Sequence, residues 1–123
     1  MPTGETKDRR VYPRLNLDFN SGYKNLSSVD GDTSSRHALT HDISLGGIRF
    51  SSKTPIELSD QLIYLLTLPS LAPTMRIEVR PVWIVQNDQD GTYEMGAQFV
   101  RIEEAHKNRI TEFQQNHPDA IAR

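Results

Sequence analysis

Cysteine is absent from this 123-residue chain, which excludes a disulfide framework, a thiolate metal centre and a catalytic thiol, and suits a reducing compartment. No stretch approaches the roughly 18 consecutive apolar residues of a membrane-spanning helix. The longest apolar patch, from Leu62 to Leu68, is strand-sized and interrupted by Thr67. Met1 to Lys7 contains no apolar core, so no secretory leader is expected. Strong positive charge is missing too: 14 Lys and Arg against 16 Asp and Glu give a net charge of −2, which weighs against a general binder of DNA or RNA. His37, His41, His106 and His117 share no metal-ligand spacing, and phosphate-loop, dinucleotide and G-x-S-x-G signatures are absent. Ser44 has no evident base partner. His41 adjoins Asp42, but neighbours along a strand point to opposite faces. The expectation is one soluble, cytoplasmic domain, large enough to bury its own core, with no enzymatic activity and no cofactor.

What is present is mostly strand patterning. Leu15, Leu17 and Phe19 alternate with Asn16 and Asp18, the period of a half-buried strand. Residues 20–36 are polar, with Gly22, Gly31 and several serines, and read as a long flexible hairpin connection. A short strand is expected over 37–43, a turn over 44–47, and a new strand from Ile48. Residues 61–68 form a further strand ended by Pro69. Met75, Ile77, Val79, Val82 and Ile84 mark a long one in which Pro81 implies an edge position or a bulge. A turn over 87–91 leads into the last strand, 93–100, where Gly96 relieves crowding. Trp83 reads as core or barrel wall rather than a base-stacking platform, and Arg80 and Arg101 as surface charges. Beyond it Ile102, His106, Ile110 and Phe113 recur at helical spacing, with Glu103 and Lys107 as a supporting i, i+4 pair. Six or so strands and a terminal helix predict a small antiparallel barrel with the helix at its rim or over one mouth.

Two short patterns carry possible chemistry. Arg9, Arg10 and Arg14 place three guanidinium groups just before the first strand, and Pro13 rules out a helical stripe. Taken alone, such a cluster is most often a solvated charged segment. It is also a set of planar forks that match phosphate oxygens and the O6/N7 edge of guanine. Asp42, Ser44, Gly46 and Gly47 lie in a tight turn between apolar strands. Asp and Ser followed by glycines is ordinary turn chemistry. The same Asp can accept hydrogen bonds from guanine N1 and N2, and the glycines let a ligand come close.

Arg10-x-x-x-Arg14 followed by Asp42-x-Ser44-x-x-Gly47 resembles the two signatures of the PilZ domain family, RxxxR and (D/N)xSxxG, in the same order. Residues 79–85 with Trp83, and 93–99 with Gly96, resemble the late strands of that family. The long 20–36 connection departs from its compact members. The resemblance implies a six-stranded antiparallel β-barrel with a C-terminal α-helix over residues 9–116, flanked by a flexible tail at 1–8 and another at 117–123. It implies a bacterial receptor for cyclic di-GMP that changes its surface on binding to regulate an unidentified protein partner, without DNA, RNA or membrane insertion. Arg9, Arg10 and Arg14 would contact phosphates and guanine edges. Asp42 and Ser44 would hold base and phosphate, and Gly46 and Gly47 would permit close approach. The alternative is a PilZ-like interaction module that binds no nucleotide; such members typically lose the arginines, which are intact here.

Overall fold

The computed structural model describes residues 15–28, 30–68 and 71–116. The expected tails, and with them Arg9, Arg10 and Arg14, lie outside the described residues. Six strands, β1 (Leu15–Asn25), β2 (Arg36–Ile43), β3 (Gly47–Ser52), β4 (Leu62–Leu68), β5 (Leu71–Gln86) and β6 (Tyr93–Arg101), precede one helix, α1 (Glu104–Asn116). All pairings are antiparallel, and the sheet closes on itself in the order β1-β2-β3-β6-β5-β4.

Alternation explains closure. Ile48 and Phe50 of β3, Leu62, Tyr64, Leu66 and Leu68 of β4, Met75, Ile77 and Val79 of β5, and Met95, Ala97 and Phe99 of β6 all point inward and are buried. With one sheet and one short helix among the described residues, apolar side chains at every second position are sequestered by curling the sheet around them. Three rings centre the core, with Phe50 4.7 Å from Tyr64 and 6.0 Å from Tyr23 between centroids. Ile110 and Phe113 of α1 join this cluster, and Arg109 donates to the Pro73 carbonyl at 2.7 Å, which ties the helix to β5. Lys107 pairs with Glu104 at 3.9 Å rather than with Glu103. Glu103 instead accepts the Lys107 backbone N–H at the start of the helix.

The first strand is longer than its sequence suggests. Residues 20–25, expected in the hairpin connection, belong to β1 and pair with both β2 and β4. The polar side chains there are tolerated because they find partners inside. Ser21 and Thr40 share a hydrogen bond of 2.7 Å, Thr40 and Tyr64 one of 2.6 Å, and Tyr23 and Ser52 one of 2.8 Å. Burial pushes the Tyr64 phenol well above its ordinary range, so it stays protonated within this chain of hydroxyls.

Among the described residues the register shifts at five places, and two of these, each of one residue, set which side chains of the outer wall meet. The register of β2 against β3 shifts between Thr40 and Asp42, and that of β5 against β6 shifts between Pro81 and Trp83. Each bulge reverses the inside–outside alternation beyond it. Pro81 is thus at a bulge, and it lies in the part of β5, from Arg80 on, that among the described residues pairs only with β6. Both readings of that proline hold.

Candidate functional site

The bulge in β2 places Asp42 opposite Arg49 of β3 on the outer wall of the barrel. Arg49 lies opposite Gly96 of β6, Gly96 opposite Trp83 of β5, and Asp42 opposite Asn16 of β1. One lateral row, Asn16–Asp42–Arg49–Gly96–Trp83, therefore crosses five strands. From Asp42 to Trp83 it runs three interstrand steps, ~14 Å at about 4.8 Å each.

The row is polar at one end and apolar at the other. Arg49 Nε donates to Asp42 Oδ2 at 2.8 Å, and its Nη1 pairs with Glu94 Oε2 on β6. Burial works against the Arg49 charge, but its hydrogen bonds to Asp42 and Glu94 and the charges of both carboxylates outweigh it and hold the guanidinium above its ordinary pKa. Trp83 is 41% exposed, so of the two expected places, core or barrel wall, it takes the wall and faces outward. A Cβ on Gly96 would collide with the Trp83 indole. Gly96 is therefore the seat of that ring rather than a relief of strand crowding. Val82 and Val85 lie exposed beside it.

Beyond Asp42 the 44–47 turn is held by its own bonds. Ser44 N donates to the Gly47 carbonyl at 2.9 Å, Gly46 N donates to Ser44 Oγ at 3.1 Å, and the Gly46 carbonyl accepts from Phe99 N at 3.2 Å. Asp42 and Ser44 are each only 6% exposed. Gly47 answers to a protein neighbour: a Cβ there would strike the backbone carbonyl of Ala97 on β6. Its φ is not in the left-handed region, so it serves close strand approach instead of an unusual turn geometry. The structure thus brings Asp42, Ser44, Gly46 and Gly47 together.

His41 bonds Ser51 Oγ at 2.6 Å, while Asp42 bonds Arg49. Ser51 and Arg49 share the outer face of β3, two residues apart, so the argument that His41 and Asp42 must face apart is overturned by the bulge between them and Thr40. Arg80 and Arg101 are exposed, as expected. Arg49 and Glu94 were not legible as site residues, since a charge on a strand beside a turn carries no pattern of its own. Among the described residues no cluster of His, Cys, Asp or Glu could hold a metal ion, and no helix is long and apolar enough to cross a membrane.

A closed six-stranded barrel with a C-terminal helix, and with an Asp-x-Ser-x-x-Gly turn opening on its outer wall, defines a class before any comparison. The chain belongs to the PilZ domain family, which matches residues 8–114. Among solved structures it is similar to the Bacillus subtilis inhibitor of motility MotI/DgrA, at 15% identity and a TM-score of 0.66, over 90% of this chain and 51% of that one. It is similar to Klebsiella pneumoniae MrkH in complex with c-di-GMP, at 18% identity and a TM-score of 0.64, over 89% and 51%. The PilZ domain of Escherichia coli YcgR with c-di-GMP matches at 16% identity and a TM-score of 0.58, over 92% and 98%. At such identities these likenesses bear on the fold alone. The chain spans about half the length of MotI and MrkH. No curated protein matches it.

Proposed function

We propose that this domain is a non-enzymatic, cytoplasmic receptor for cyclic di-GMP, with the ligand lying along the outer row between the 42–47 turn and Trp83. The observation that supports this most is the pairing of Leu15 with Ile43 and Asn16 with Asp42. It makes the described chain enter the barrel beside the turn, as a ligand shared by the two signatures would require. Arg14 is one peptide from Leu15, and Arg10 is within ~18 Å of it at about 3.5 Å per residue. Arg9, Arg10 and Arg14 supply phosphate contacts and forks for the O6/N7 edge. Asp42 accepts from the guanine N1 and N2 donors, Ser44 and Gly46 border the phosphate, and the Trp83 indole offers a face for a base. A ligand held between residues 9–14 and the barrel presents a composite surface that neither has alone, and a partner protein reads that surface.

One observation favours the other reading, an interaction module that binds no nucleotide. The turn's polar groups bond within the protein, Ser44 with Gly46 and Gly47 and Asp42 with Arg49. Calorimetric titration with cyclic di-GMP, cyclic di-AMP and GTP separates the two. The receptor reading expects heat from the guanine dinucleotide alone, with Arg10→Ala and Arg14→Ala each losing roughly ten- to a hundredfold in affinity, as for a lost bidentate base contact of about 1–3 kcal/mol. Equal heats from the guanine and adenine dinucleotides, or none from either, would overturn it.

A further inference from the structure

Arg49 sits inside the site, yet neither signature includes it. Its guanidinium joins three strands: it is rooted on β3, its Nε meets Asp42 of β2, and its Nη1 meets Glu94 of β6. The arrangement is graded in exposure, from 9% for the Asp42 side chain through 32% for Arg49 to 37% for Glu94. Gly96, directly opposite Arg49, carries no side chain that could interrupt the diagonal path to Glu94. A guanidinium is flat and rigid, so fixing its far edge at Glu94 also fixes the plane in which its near edge meets Asp42. A carboxylate offers about four acceptor positions, and the bond from Arg49 at Oδ2 takes one of them and restricts the group's rotation.

We propose that Arg49 is the positioning residue for base discrimination: braced by Glu94, it holds the Asp42 carboxylate in the orientation that accepts from N1 and the exocyclic N2 of guanine. This rests on the reading of the row as a cyclic di-GMP site. Arg49 acts through Asp42, and Glu94 acts through Arg49. The order of influence follows the order of contact. The N2 amine is the group at stake, because a carboxylate turned out of plane can still meet one donor but not two parallel ones.

The test is a titration of the full chain with cyclic di-GMP and with its inosine analogue, which lacks the N2 amine. Wild type should prefer the guanine ligand by about tenfold, the worth of one well-placed hydrogen bond to a charged group. Arg49→Met, close in length and uncharged, should lose about tenfold for cyclic di-GMP and little for the analogue, so that the preference collapses. In an Asp42→Ala background the same substitution should change nothing, since its effect passes through the missing carboxylate. Glu94→Gln leaves the Asp42–Arg49 bond in place and guards against a misfolded Arg49 variant. It should reduce the preference about threefold with an unchanged melting curve. Arg49→Met or Glu94→Gln with the full wild-type preference would overturn the proposal while leaving the receptor reading intact, as would an equal loss from Arg49→Met with and without Asp42. Wild type that binds neither ligand would overturn the receptor reading, and this proposal with it.

Discussion

The 42–47 and 87–91 turns are made of the same residue types and have opposite characters. Both combine an Asp, a short side chain bonding the backbone, and glycine. In the second, Asn87 accepts from Gln89 N at 3.0 Å, and Asp90 Oδ1 accepts from Thr92 N at 3.0 Å and Thr92 Oγ1 at 2.7 Å. Those bonds hold the Asp90 carboxyl below its ordinary pKa. Gly91 has a φ of 74° and open space around it. The bonds of that turn run among residues 87–92, with Lys53 contributing a nearby charge to Asp90. The first turn is buried, bonded to β6 through Phe99, pressed against Ala97, and its Asp is gripped by an arginine. Turn chemistry is therefore common to both. What sets the first apart is what neighbouring strands bring to it.

The largest break in this comparison should come from Gly47→Ala. The added methyl meets backbone, which cannot swing away, so the barrel should lose about 3 kcal/mol, at the upper end for overpacking. Denaturant titration measures it, and a midpoint equal to wild type would mean that β3 and β6 can part without cost.

Asp42→Ala comes next. Loss of a charge-assisted bond to a partly exposed arginine should cost about 1–2 kcal/mol in stability. Affinity for cyclic di-GMP should fall by roughly tenfold, ~1.4 kcal/mol. Asp42→Asn keeps an acceptor for Arg49 and the turn bonds and should be mild on stability, while its single oxygen replaces two, so the preference for cyclic di-GMP over the inosine analogue should shrink. An alanine variant that is less stable yet binds normally would make Asp42 a purely structural residue, like Asp90.

Gly91→Ala isolates backbone strain from packing. With nothing to collide with, it should cost about 1 kcal/mol for a left-handed residue bearing a Cβ, and ligand affinity should stay at the wild-type value. A change in affinity would show that the 87–91 turn communicates with the row.

The smallest effect should come from Gly96→Ala. Its methyl displaces a flexible indole instead of backbone, so stability should barely move. Affinity should drop about threefold, on the order of 0.6 kcal/mol, as the Trp83 face tilts. Unaltered affinity together with altered Trp83 fluorescence would remove that ring from the binding surface.

Much of this molecule was legible in its sequence where period-two alternation ran unbroken, as in β3, β4 and β6. Reading failed where alternation was satisfied by hydroxyls instead of hydrocarbons. Ser21, Tyr23 and Asn25 point inward on β1 but look like a loop, because the partners that pay their desolvation, Thr40, Ser52 and Asp60, are distant in sequence. It failed again at the bulges. Counting by twos from buried Val79 puts Trp83 inside, and counting from Thr40 separates Asp42 from the outer wall. One extra residue in each strand reverses both results. The 42–47 turn itself was readable from residue type, whereas Arg49 and Glu94 became visible only through cross-strand register.

The far half of β5 has a consequence of another kind. From Arg80 to Gln86 the strand has β6 on one side and, among the described residues, no strand pairing on the other. Such a margin is a template on which another chain can lay down a strand, and exposed Val82 and Val85 would reward it. Pro81 has no N–H to offer, and the adjacent bulge turns the backbone out of the flat geometry that templating needs. The irregularity that sets Trp83 on the outer wall thus also guards the protein against self-assembly. Straightening it would cost solubility along with the row.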